Sequence, residues 1–127
     1  MVKYKRAVEE EKVVSDLVKT LGLSYIDTTR IRVVYSIGAK TKAIARIWAI
    51  PKAITLAFDL KPLYVIELVS EKFIKLNEDQ KLRVLIHELL HIPESFSGGL
   101  RPHGQKVNAR VVNRLYKEYT ERKKTTS

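Results

Sequence analysis

Val84-Leu85-Ile86-His87-Glu88-Leu89-Leu90-His91-Ile92-Pro93 is the stretch on which the reading of this chain turns. It sets H-E-x-x-H inside an apolar run with helical spacing. One turn of helix separates His87 from His91, so both imidazoles project from one face, as two ligands of one metal ion must. Glu88 stands beside them, placed to take a proton from a water activated at that metal. Upstream, Asn77-Glu78-Asp79-Gln80 supplies a helix start: Asn77 as N-cap, acids in the first turn, and Gln80 closing a capping box. Leu82, Leu85, Ile86, Leu89 and Leu90 form a core face, which turns Val84, His87, Glu88 and His91 towards a cleft. Pro93 stops the helix.

A hydrolytic zinc takes three protein ligands and keeps one position for water, so the pentapeptide is one ligand short. The chain has no cysteine, which leaves His, Asp or Glu to complete the set. The downstream candidates are Glu94, His103, Glu118 and Glu121. Glu94 lies just past Pro93, badly placed to turn back on the same ion, and Glu118 and Glu121 fall on a helix face that reads as solvated. His103 fits best, between Pro102, which restrains the backbone, and Gly104, which permits a close approach. All three histidines of the chain then fall within 17 residues. One zinc ion on His87, His91 and His103, with Glu88 as general base, gives the chemistry of amide hydrolysis. Arg101, Tyr64 and Tyr35 are the candidates for stabilising the developing oxyanion or holding substrate. An extended peptide substrate could add to a strand edge, at 43–50 or at 64–69.

Around this helix the chain reads as α+β. Residues 3–21 carry apolar positions at helical spacing, ended by Gly22, and predict an N-terminal amphipathic helix. Residues 30–37 and 43–50 alternate and, joined by the turn at Gly38-Ala39-Lys40, predict an antiparallel hairpin. Residues 52–59 are a further strand or an irregular segment. Residues 63–69 are a β-branched strand, and residues 70–76 one helical turn plus a loop. Residues 105–122 return to helical spacing through Val107, Val111, Val112, Leu115 and Tyr119, beside a basic stripe of Lys106, Arg110, Arg114 and Lys117. Residues 122–127 are expected to form a disordered tail. The expectation is one domain over residues 1–127, with an N-terminal helix, a small mostly antiparallel sheet of three or four strands, the H-E-x-x-H helix and a C-terminal helix.

With 127 residues, 45% hydrophobic and 30% charged, the composition is that of a globular domain with its own core. No apolar run is long enough for a membrane span, and the basic N-terminus leads into Glu9-Glu10-Glu11 instead of a signal core, which places the chain in the cytoplasm. The net charge of +10 reads either as a solvated lysine-rich surface or as a footprint for nucleic acid.

Three segments together, Tyr64-Val65-Ile66-Glu67, the helix from Lys81 to its stop as K-L-R-V-L-I-H-E-L-L-H-I-P, and Phe96-Ser97-Gly98-Gly99-Leu100-Arg101-Pro102-His103-Gly104, resemble the metallopeptidases of archaea and phages. More distantly they are similar to SprT-like, or Spartan-type, zinc protease domains. The resemblance covers roughly residues 30–120. It implies a minimal zincin with His87, His91 and His103 as zinc ligands and Glu88 as base. SprT-like proteins act on DNA-bound proteins, which would give Lys106, Arg110, Arg114 and Lys117 a nucleic-acid partner. This chain lacks their cysteine-rich zinc ribbon, and its spacing is not the H-E-x-x-H-x-x-G-x-x-H of metzincins. The expected function is a zinc metallopeptidase acting on peptide or protein substrates. The alternative is a basic SprT-like module at nucleic acid, either cleaving DNA-bound proteins or binding with a structural zinc.

Overall fold

The computed structural model describes residues 1–126; Ser127, the end of the expected tail, lies outside them. Four strands form one sheet: β1 Lys3–Arg6, β2 Ile31–Ile37, β3 Ala45–Ala49 and β4 Tyr64–Val69, in the order β1-β2-β4-β3. β1 runs antiparallel to β2, β2 parallel to β4, and β3 antiparallel to β4. The fold is thus α+β with a mostly antiparallel sheet, as the sequence implied. Helices α1 Val8–Thr20, α3 Ser70–Phe73 and α4 Glu78–Leu90 lie against one face of the sheet, and α5 Ala109–Thr126 packs on α1 and α4. The core between the layers is built by Val14 and Leu17 of α1, Val33 of β2, Ile66 and Leu68 of β4, and Leu85, Ile86 and Leu89 of α4.

Three local readings are corrected by this arrangement. The predicted hairpin of the second and third strands does not exist, because β4 lies between them. β4 is buried at every position but Val65, whereas β3 carries the polar or half-exposed Arg46 and Trp48 between small alanines. The most apolar strand therefore takes a central place and the mixed one an edge. The first residues of the predicted N-terminal helix are instead β1, which covers the outer edge of β2 and hands over to α1 through Ala7, whose N–H donates to the Val33 carbonyl at 2.9 Å. Residues 52–57 form a short helix, α2 Lys52–Ala57, where a strand or irregular segment was expected. It begins after Pro51, whose fixed φ suits a helix start.

At the other end, the segment expected to be disordered from Arg122 continues α5 to Thr126. Arg122 donates to the Thr20 carbonyl at 2.8 Å, and Lys123 pairs with Asp16 at 2.9 Å. Tyr119 also donates to Asp16. These contacts fasten the last turns of α5 to the end of α1, which a local reading of a polar, lysine-rich tail does not anticipate.

Candidate metal centre

α4 begins as its sequence dictates. The Asn77 side chain accepts from the Gln80 N–H at 2.8 Å, and the Gln80 side chain accepts from the Asn77 N–H at 3.0 Å, a reciprocal cap. From that fixed start, the core face of Leu85, Ile86 and Leu89 sets the rotation of the helix, and His87, Glu88 and His91 necessarily face the cleft. Helical structure ends at Leu90, with His91 at the C-cap.

His103 comes from the loop between α4 and α5, and that loop is tied down at two places. The Tyr64 hydroxyl donates to the Gly99 carbonyl at 3.0 Å and accepts from the Gly98 N–H at 2.9 Å. Gly98 has a φ of +98°, which only glycine adopts without strain. Further on, the Arg101 N–H donates to the His91 carbonyl at 2.6 Å, and the Arg101 guanidinium donates to the Leu90 carbonyl at 3.0 Å. The carbonyl of Arg101 lies 2.6 Å from His91 Nδ1. A carbonyl only accepts, so Nδ1 carries the proton, and Nε2 of His91 is left with its lone pair. Such a partner on the remote nitrogen is the usual support of a metal-ligating imidazole.

The three rings meet with centroids 5.1 Å (His87–His91), 5.0 Å (His87–His103) and 4.8 Å (His91–His103) apart. Their candidate ligand atoms all lie within 4.8 Å of one another, and His87 Nε2 is 3.0 Å from His103 Nε2. A tetrahedral ion with bonds of about 2.0–2.1 Å separates its ligand nitrogens by roughly 3.3 Å. The His87–His103 pair is within a few tenths of an ångström of that spacing, and the widest pair, at up to 4.8 Å, would close by as much as about 1.5 Å around one ion, a movement within reach of imidazole side-chain rotation. Burial, and then the neighbouring His91 and His103, hold the His87 pKa below the usual histidine value, which keeps the neutral, ligating form. Glu94, Glu118 and Glu121 are outside the cluster.

Glu88 is 7% exposed, and its carboxyl makes no hydrogen bond among the described residues. Burial pushes its carboxyl up to about 7. A dipositive charge beside it would favour the carboxylate. The carboxyl lines a cleft of about 880 Å³, together with Ala45 and Ile47 of β3, other residues of α4, and Val112 and Asn113 of α5.

Other candidates lie elsewhere. Arg101 is spent on capping α4, and the buried Tyr64 on anchoring Gly98 and Gly99, so neither side chain reaches the histidine cluster. The Tyr35 hydroxyl donates to Glu10 at 2.7 Å. Lys106, Arg110, Arg114 and Lys117 are exposed and do not line the cleft. Among the cleft residues that the sequence reading did not single out is Arg83, one turn before His87 on the same face of α4. The i, i+4, i+8 row of Arg83, His87 and His91 was the available signal.

A family model described as "Putative phage metallopeptidase" matches residues 2–126. The chain belongs to that family. The match runs through β1 at one end and to the last described turn of α5 at the other, so the elements that frame the cleft all lie within the matched span. Membership in a metallopeptidase family calls for a metal, and His87, His91 and His103 are the group in the described residues able to hold one. No curated protein and no solved structure matches the chain at a significant level. No helix among the described residues is long and apolar enough to cross a membrane.

Proposed function

We propose that this member of the phage metallopeptidase family is a zinc-dependent endopeptidase, with His87, His91 and His103 as the zinc ligands and Glu88 as the general base. The observation that carries the reading is the convergence of three imidazoles beside a buried, otherwise unpartnered glutamate in an open cleft. Three neutral nitrogen donors with room for a fourth position suit zinc. Zinc there supplies Lewis acidity, polarising the scissile carbonyl and acidifying the attacking water. Glu88 takes the proton from that water and delivers it to the departing amine.

The substrate is held, in this reading, on the free edge of β3. The Ile44 carbonyl accepts from Val69 at 2.9 Å and the Ile50 N–H donates to Leu63 at 3.1 Å, so the even-numbered residues turn their backbone groups to β4. In an antiparallel strand the alternate residues turn theirs outward. Ala45, Ile47 and Ala49 therefore offer N–H and C=O to an extended peptide, and the first two of them line the cleft. Of the two strand edges considered, β4 is enclosed between β2 and β3 and offers none.

The test is zinc content together with cleavage of casein by the zinc-loaded protein. Glu88→Gln is expected to keep one zinc per chain and lose at least a hundredfold in rate, the upper part of the range for general-base catalysis. A folded wild-type protein that binds no zinc at stoichiometric level would overturn the reading.

The exposed row of Lys106, Arg110, Arg114 and Lys117 favours a second, SprT-like reading in which nucleic acid is an additional partner. It calls for DNA binding that weakens steeply with salt and survives Glu88→Gln. No binding to a 30-base-pair duplex (about this length, to span several helical turns) at low salt would remove it.

A further inference from the structure

Arg83 is the one cleft-lining cation of α4, and it is set apart both from the arginines bonded within the fold and from Arg110 and Arg114, which are exposed. Arg6 bonds Glu11, Arg46 bonds Glu67, and Arg30, Arg32 and Arg101 donate to backbone carbonyls. The Arg83 side chain makes no hydrogen bond or ion pair among the described residues, and its Nε is buried without a partner. Its guanidinium carbon lies 4.2 Å from the ring centre of Tyr116, and the Tyr116 hydroxyl is fixed by Asp79 at 2.5 Å. A guanidinium stacked on a pinned ring has already lost much of its rotamer freedom. Its planar fork is thus preorganised, yet the structure offers it no acceptor.

A buried donor left unpaired is costly unless a ligand satisfies it. The charge around Arg83 indicates which ligand. Of the other charged residues lining the cleft, Lys42 is a cation, Arg46 is neutralised by Glu67, and Glu88 stands alone as the acid. The lining of the cleft is therefore net positive; Asp79, the acid one turn before Arg83, is engaged by the Tyr116 hydroxyl and does not line it. We infer that Arg83 is a specificity residue that binds a carboxylate of the peptide substrate, in a subsite beside His87. The inference rests on the peptidase reading for the identity of the ligand as a peptide.

Four residues of helix place Arg83 about 6 Å from His87, which is roughly two residues of extended chain. The carboxylate would belong to a residue within about two positions of the scissile bond. It could be an aspartate or glutamate side chain or the free C-terminus, and Arg binds both through the same bidentate geometry.

The experiment uses the full chain as zinc-loaded Glu88→Gln protein, so that peptides bind without turnover. Four N-acetylated polyalanine peptides are titrated: one with a single central Glu and its Gln counterpart, both amidated, and an all-alanine pair with a free or an amidated C-terminus. Kd is followed by NMR, together with the Arg83 Nε–H resonance. One carboxylate-bearing peptide is expected to bind about tenfold more tightly than its neutral counterpart, the size of a charge-assisted hydrogen bond in a partly wet site. The Nε–H resonance should move only with that peptide. Which pair shows the difference identifies the source of the carboxylate.

Arg83→Gln should bring the ratio close to one, and Arg83→Lys should restore part of it. If Arg83→Gln fails to fold, the resonance shift in the parent protein and the ratio in Arg83→Lys still decide. Ratios near one for both pairs in the parent protein, or an unchanged ratio in Arg83→Gln, would overturn the inference. A carboxylate preference in a protein that cleaves nothing would sink the peptidase reading and leave the subsite standing. Cleavage with no preference would do the reverse.

Discussion

His91 meets the cluster through the nitrogen left free when its Nδ1 donates to the Arg101 carbonyl, whereas His103 comes from a loop and His87 from the middle of a helix turn. The three proposed ligands should therefore differ in how their loss is felt. His103→Ala is expected to lower zinc affinity by at least a hundredfold while leaving the melting temperature of the metal-free protein within about 2 °C, because His103 is exposed. Zinc competition with a chromophoric chelator and a thermal scan in EDTA would check both halves. Glu67 gives a second outcome at this scale. It is fully buried in β4, bonded by Arg46 at 2.9 and 3.3 Å and by Trp48 at 2.8 Å. Burial alone would raise its pKa, but the bonds to Arg46 and Trp48 outweigh burial and hold it below the usual carboxylate value. A group lowered on folding stabilises above its unfolded pKa, about 4.3–4.5, and loses that contribution as pH falls through its folded value. Urea midpoints measured from pH 6 down to pH 3 should drop for the wild type and more gently for Glu67→Gln. Arg46→Ala, which strands the buried carboxylate, should cost about 3 kcal/mol, the low end for a broken buried pair because Arg46 is itself partly exposed.

Helix α4 was legible in the sequence at nearly every level, since its cap, apolar face and ligand face are all local patterns that agree. Asn77→Ala should accordingly cost about 1 kcal/mol, or about 4 °C in melting temperature, by calorimetry. His103 was legible for a different reason: the chain contains three histidines and no cysteine, so elimination did the work of distance. The sheet order was not. Alternation in β2 and β3 is the same whether they pair with each other or with a strand between them, and only the near-complete burial of β4 decides. β1 was misread because its four residues share a helical spacing with Ala7 and Val8, and what makes them a strand is the open edge of β2, a long-range partner. Arg83 was passed over because the charge of a residue says nothing about whether a carboxylate awaits it elsewhere in the fold.

At the scale of the whole molecule, the site is made where separate parts of the chain are brought together: an edge strand, a capped helix, and a loop steered by Tyr64 from the central sheet. Asp16 joins the far ends of α1 and α5 through Tyr119 and Lys123, and Asp16→Ala should loosen the α5 wall of the cleft. Hydrogen exchange is expected to quicken in the last turns of α5 while α4 remains protected, since α4 has its own core face. The tie between Tyr64 and Gly98–Gly99 has a consequence for metal capture. An ion first held by His87 and His91 would meet His103 as an intramolecular partner, whose effective concentration is set by how narrowly the loop confines it. Tyr64→Phe frees two backbone groups of that loop and widens the volume His103 explores. Zinc should then bind about tenfold more weakly, by competition with the same chelator, although no ligand has been altered. A tyrosine in the sheet would thus act on the metal by fixing the local molarity of an imidazole it never touches.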